Sequence, residues 1–265
     1  MPYDTSLVPA RLLTLTTDTA AALGPEWSVT GLLSTAILVH PFGLRLQLRL
    51  HSDGLHISAL TDMSSTPGNP AEITATVPIT EATGQKAAEL IHTQVLPRLG
   101  QRDARAALRL MSLPLRSARI PAVARAQQDS VNLLTYTSDD GAVVISVRIS
   151  VPYDGTVALL LDQLSVSWAI RCARAALPEP SAAHVHAHAT AASFGPEVHA
   201  VLDALPALRA TPSLAGPRYT ILRTPDEQVT LRHDANAADL AAPMTLFLPT
   251  APIATAYAVL RAYTA

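Results

Sequence analysis

The sequence predicts an α+β fold, with antiparallel β-hairpins and sheets covered by amphipathic helices. Three observations carry this. Leu44-Arg45-Leu46-Gln47-Leu48-Arg49-Leu50-His51 alternates apolar and polar residues without a break, which is the period of a half-buried strand. Ala87, Leu90, Ile91 and Val95 recur at three- and four-residue spacing, the period of a helix with one buried face. The joint of apolar strand, proline and amphipathic helix occurs at Thr76-Val77-Pro78, Ser150-Val151-Pro152 and Phe247-Leu248-Pro249.

The elements follow in order. Pro9 to Leu23 reads as a helix with Pro9 in its first turn and Gly24-Pro25 at its stop. The leucine strand turns at Ser52-Asp53-Gly54 and returns over Leu55 to Thr61, a hairpin with its turn chemistry in place. Met63 to Pro70 is a loop, and Ile73 to Val77 is a strand ending at Pro78. A helix starts near Thr83, and Pro97 is expected to end or kink it. A second helical piece runs to Met111, and Leu113 to Gln128 reads as a connector. Val131 to Thr137 and Ala142 to Val151 form a second hairpin around Ser138-Asp139-Asp140-Gly141.

Asp154 is expected to cap a helix whose buried face carries Leu160, Leu161, Leu164, Trp168 and Cys172. Pro178-Glu179-Pro180 reads as a linker. Beyond it come a short strand (His184 to Thr190), a helix (Pro196 to Ala210) and a hairpin with arms Tyr219 to Arg223 and Gln228 to His233. A strand over Met244 to Leu248 precedes a last helix, capped by Thr250 with Pro252 in its first turn. The expected domains are 1–178 and 181–265. Segments 9–97 and 195–264 share the order helix, hairpin, strand, helix, which suggests an internal duplication.

Composition narrows the function classes. A hydrophobic fraction of 49% supports a packed core, whereas 4% aromatic residues disfavour a base-stacking platform. A net charge of −2 gives no overall attraction to nucleic acid or to anionic membranes. Cys172 is the one cysteine, so no disulfide forms within the chain and a cytoplasmic location is expected. The stretch Met1 to Leu12 has no long apolar run and does not read as a signal peptide. No apolar stretch approaches the length of a membrane span. Lys86 is the only lysine among the basic residues, the mark of a high-GC coding sequence.

Three short motifs carry a resemblance over roughly residues 10–110. They are Ala22-Leu23-Gly24-Pro25-Glu26-Trp27, then Gly54-Leu55-His56-Ile57-Ser58, then Ile73 to Val77 with the later Val95-Leu96-Pro97-Arg98. In these the chain is similar to a group of uncharacterised actinobacterial proteins, many on phages, plasmids or integrated elements. The group implies no activity. The expected element order over 9–177 also resembles the class of type III secretion chaperones and related peptide-binding folds, which clamp extended partner segments. That resemblance is one of topology and implies a chaperone-like role.

Two clusters could carry chemistry. Arg98, Arg102, Arg105 and Arg109 are spaced four, three and four, which would put them on one helical face. The segment 98–125 is +6, leaving −8 on the remainder. Such a stripe could meet phosphates or an acidic partner, or be a solvated face paired with the acidic body. His184, His186 and His188 alternate on the expected strand, and His199 and Asp203 lie one turn apart on the expected helix. His184, His186 and His199 are the set that could hold zinc; the bland alternative is an exposed polar strand face.

No nucleophile elbow, phosphate loop or dinucleotide fingerprint is present. Cys172 falls on a buried helix face, where thiols act as small hydrophobes. The expectation leans against an enzyme and towards a non-enzymatic macromolecule-binding accessory, adaptor or chaperone-like protein, with no cofactor and another protein as its partner. The alternatives are a nucleic-acid-binding accessory factor that uses the arginine helix and a metal-dependent enzyme that uses the His-x-His strand.

Overall fold

The computed structural model describes residues 10–32, 35–41, 43–60, 73–120, 122–128, 131–137, 143–150, 152–177, 195–212, 219–234 and 243–265. The chain forms two compact units, Met1–Arg102 and Asp103–Ala265.

The first unit opens with α1 (Ala10–Leu23), which buries Leu12, Leu15, Thr16, Thr19, Ala20 and Leu23 along one face. The two threonines enter this face at little cost. Each donates its hydroxyl to the carbonyl one turn back, Thr16 to Leu12 at 2.7 Å and Thr19 to Leu15 at 2.6 Å. Gly24 ends the helix with a positive φ of 123° that a side chain would resist. Five strands follow as an antiparallel meander: β1 (Ser28–Leu32), β2 (Thr35–Val39), β3 (Arg45–Leu50), β4 (Gly54–Ala59) and β5 (Thr74–Pro78). In β3 the alternation acts as expected, with Leu46 and Leu48 buried and Arg45 and Arg49 exposed. The sequence pattern passes over β1 and β2. In β2 the successive residues Ala36, Ile37 and Leu38 are all buried, so no alternation marks the strand.

Thr83 caps α2 (Gly84–Leu90), its hydroxyl accepting from the Lys86 amide at 3.2 Å. Gly84 is fixed by packing against α1: a Cβ there would lie 2.4 Å from Asp18 Cβ. Pro97 does not end the helix. A π-helical segment, Ile91–Val95, precedes it, and α3 (Leu96–Gly100) continues with Pro97 in its first turn, where a missing N–H is tolerated.

The second unit begins with α4 (Ala104–Ser117), capped by the Asp103 carboxylate on the Ala106 amide at 2.8 Å. Strands β6 (Ala122–Gln128), β7 (Val131–Thr137), β8 (Val144–Ser150) and β9 (Thr156–Leu164) form a meander, followed by α5 (Val166–Ala176). Then α6 (Pro196–Ala204) leads to β10 (Arg209–Pro212), β11 (Tyr219–Arg223), β12 (Thr230–Asp234), β13 (Met244–Pro252) and α7 (Ile253–Thr264). The two meanders join into one eight-stranded antiparallel sheet, ordered β10-β11-β12-β13-β9-β8-β7-β6. An α+β fold with helix-covered antiparallel sheets is therefore what the chain adopts.

Several expectations change. Residues 209 and 210, expected at the end of a helix, begin β10; Thr250, expected to cap the last helix, lies in β13, and Pro252 stands at the N-cap of α7. Residues 156–164 are a strand, not the start of a helix. Asp154 accepts from the Thr156 amide and hydroxyl, at 3.0 and 2.7 Å, in a turn that also uses Gly155 at φ 86°. The helix begins only at Val166, capped by Ser165 on the Trp168 amide. The expected connector contains the end of α4 and the strand β6. The boundary between compact units falls at 102/103; β9 and β13, expected in separate domains, are neighbours in one sheet.

The joined sheet is close to two-fold symmetric in its connectivity. Each half runs helix, four-strand meander, helix, and the last strand of each half meets the other at the centre. The covering helices follow the same rule. The closing helices α5 and α7 pack on each other, while α4 packs on α7 and α6 on α5. The first unit repeats the order once more, with five strands instead of four. Segments 9–97 and 195–264 thus share the order helix, antiparallel meander, helix, with five strands in the first and four in the second, and 104–176 runs in the same order with four.

Candidate binding face of the eight-stranded sheet

One face of the central strands is sealed by helices. Ile145, Val147 and Ile149 of β8, Val157, Leu159 and Leu161 of β9, and Met244, Leu246 and Leu248 of β13 are buried. Period-two alternation sends the intervening residues to the other face. There Phe247 of β13 is 40% exposed, the one large hydrophobic residue so open among the described residues. The register sets it opposite Leu160 of β9, which stands opposite Ser146 of β8. A neighbouring row holds Ala158 of β9, Arg148 of β8 and Leu133 of β7. These residues line a shallow hollow of about 370 Å³, edged by Ser150, Asp154, Thr156 and Thr250.

Two irregularities shape this face. The β9–β13 register slips between Met244 and Leu246, and Gln163 opposite takes a left-handed φ of 63°. There Thr245 donates its hydroxyl to Asp162 Oδ1 at 2.6 Å. A second slip between Leu248 and Ala251 takes up Pro249, which has no N–H for the ladder.

The electrostatics of the rim have local causes. The Thr156 hydroxyl and amide hold the Asp154 carboxyl below its usual range. Burial, aided by the nearby Asp154 and Asp103 charges, pushes the Tyr153 phenol up to about 12. Arg148 is exposed beside them. The hollow thus presents a hydrophobic floor, a guanidinium and several hydroxyls. It can accept an apolar side chain and hydrogen-bond the groups around it.

The arginines do not form the expected stripe. Arg98 lies on α3, Arg102 in the turn that ends the first unit, and Arg105 and Arg109 on α4 of the second. The helix they were to share is broken at Asp103, whose side chain starts a new one. All four are exposed. Arg98 reaches back to the Thr74 carbonyl at 3.5 Å; Arg105 and Arg109 remain one turn apart on α4.

His184, His186 and His188 lie outside the described residues, as does Pro178-Glu179-Pro180. His199 and Asp203 are on α6, His199 half-buried and Asp203 exposed. Among the described residues no three His, Cys, Asp or Glu side chains converge as metal ligands. Cys172 is buried in α5, and desolvation pushes its thiol up to about 12.

Sequence reading gave Phe247, Leu160 and Arg148 no binding role; Leu160, expected on the buried face of a helix, is half-buried on strand β9. The signal for Phe247 was present: alternation from Met244 through Leu248 leaves it on the face opposite the buried residues. Compared with known protein families, curated proteins and solved structures, the chain matches none.

Proposed function

We propose that this chain is a non-enzymatic, macromolecule-binding accessory protein, of adaptor or chaperone-like type, that holds a segment of another protein on the open face of its eight-stranded sheet. The observation that carries this reading is the pairing of exposed Phe247 with Leu160 on a face where polar residues would be the rule. An aromatic anchor inside a polar rim is the arrangement from which protein interfaces draw most of their affinity. Arg148 and Asp154 at the edge supply direction for a charged or carbonyl-bearing partner. A cytoplasmic setting, in keeping with a single buried thiol, belongs to the same reading. Among the described residues no helix is long and apolar enough to cross a membrane.

The nucleic-acid alternative would use Arg98, Arg102, Arg105 and Arg109, which no single helix carries, because Asp103 caps a new helix between Arg102 and Arg105. The test pans a displayed library of short peptides on the folded protein, with Phe247→Glu as the counter-selecting surface. Enriched peptides that bind the wild type and lose about tenfold or more in affinity on Phe247→Glu support the proposal; a loss of that size is about 1.4 kcal/mol. Peptides that bind both proteins equally, or no enrichment at all, would overturn it.

A further inference from the structure

We propose that the first unit pairs with a second copy of this chain through the free edge of β5, in a two-fold antiparallel junction centred on Thr76. The starting point is the triple recurrence of one element order. In the second unit the strand before each closing helix, β9 and β13, lies at the end of its own meander, and the two pair with each other. In the first unit the strand in that position is β5. It ends its meander in the same way, and among the described residues it pairs with β4 alone. The strand that corresponds to this seam in the first unit is β5, which has no second partner strand among the described residues.

The hydrogen-bonding groups on that edge fit a copy of themselves. The Ala59 amide donates to the Ile73 carbonyl and the Ile79 amide to the Asp53 carbonyl, so residues 73 and 79 direct their backbone groups towards β4. By the two-residue period, Ala75 and Val77 do the same, and Thr74, Thr76 and Pro78 direct theirs outwards. A two-fold axis at Thr76 sets Thr76 opposite Thr76 of the second copy and Thr74 opposite Pro78. The two Thr76 residues then exchange both N–H···O bonds. The Pro78 carbonyl already accepts from the Glu81 amide at 2.9 Å, so each Thr74 amide would donate to its second lone pair. Pro78 has no N–H to return, which would leave each Thr74 carbonyl unpaired. That carbonyl is the one that Arg98 Nη1 already reaches, at 3.5 Å. Each outward donor therefore finds an acceptor when the edge is matched with itself.

A proline on an edge strand is often a guard against association. Here it does not exclude pairing: in the second unit β13 contains Pro249, held in a register slip, and still pairs with β9. Thr74 and Thr76 are exposed and Ala75 and Val77 buried, so the junction would form without disturbing the packed face.

The experiment is sedimentation equilibrium on the full chain, with two variants. The wild type is expected to reach twice the chain mass of 28.0 kDa at micromolar to submillimolar concentrations. Thr76→Pro, which removes the outward N–H and also fixes the backbone φ, is expected to return it to the single-chain mass with its circular dichroism unchanged. Should that variant fail to fold, Thr76→Cys with a short bis-maleimide decides the question. It is expected to cross-link two chains, whereas Ser28→Cys on the opposite sheet edge is not. A wild type that stays monomeric throughout, a dimer indifferent to Thr76→Pro, or cross-linking through position 28 instead of 76 would overturn the proposal.

Discussion

Thr245 and Asp162 are 83 positions apart in the chain and 2.6 Å apart in the fold, hydroxyl to carboxylate, where β13 meets β9 at the centre of the sheet. The acceptor is charged and the pair partly buried, so the bond is stronger than a neutral one. Thr245→Val is expected to cost about 1–2 kcal/mol in urea denaturation. Asp162→Asn keeps an acceptor and should cost less. Equal losses for both variants would show that a neutral amide oxygen cannot replace the carboxylate, and no loss for Asp162→Asn would show that its charge is irrelevant.

Gly84 holds the helices of the first unit together by having no side chain. Ala at this position would place Cβ 2.4 Å from Asp18 Cβ and 2.7 Å from the Thr19 amide nitrogen. Backbone atoms of α1 cannot step aside as a flexible side chain would. Gly84→Ala is expected to lower stability by about 1–3 kcal/mol despite its better helix propensity. A stability equal to wild type would mean that α1 and α2 can separate freely.

The alkaline limb of stability follows from the buried Cys172 thiol, the half-buried Tyr153 phenol and the buried Tyr257 phenol, each raised by burial. The Cys172 thiol is raised from 9.0 to about 12 and the Tyr153 phenol from 10.0 to about 12, both chiefly by burial. The native state keeps protons that the unfolded chain gives up, so stability is intact below about pH 9 and falls as pH rises towards 12. Cys172→Ala should flatten the first part of that fall. Iodoacetamide at pH 8 should leave the native thiol unmodified and label it quickly in denaturant. Rapid labelling of the native protein would contradict the buried placement.

His233 on β12 is 4% exposed, and among the described residues neither ring nitrogen has a hydrogen-bond partner. Its neighbour two positions back, Leu231, is fully buried on the same strand. An unmet polar group in such a place costs free energy that an isosteric apolar one does not. His233→Leu is expected to raise the denaturation midpoint, by about 1 kcal/mol. A lower midpoint would show that the imidazole makes a stabilising contact.

Hairpins were legible because alternation and turn residues coincide, as at Leu46 to Ile57 around Ser52-Asp53-Gly54. Strand β9 was not, because Leu159, Leu160 and Leu161 are contiguous and Leu161, Leu164, Trp168 and Cys172 happen to fall at helical spacing. Only the Asp154-Gly155 turn marks its start as a strand. The arginine face failed for the reverse reason: a helical period continued on paper through Asp103, which is itself a cap. The β9–β13 seam left no local pattern, since pairing between distant strands is written in neither one alone. The candidate face was half legible: alternation from Met244 to Leu248 sets Phe247 apart from the buried residues, but its neighbour Leu160 is known only from the register of β13 with β9.

That seam also sets an order of events during synthesis. The first unit is a meander of consecutive strands, and its pairings can close as each strand leaves the ribosome. The second unit cannot finish in this way. Strand β9, with its row of leucines, is made long before β13 arrives to cover its edge. In that interval the nascent chain carries a bare, apolar strand of the kind that seeds aggregation. Translation that pauses between the two strands would lengthen the exposure, and a chain interrupted there would be the species most in need of a holding chaperone.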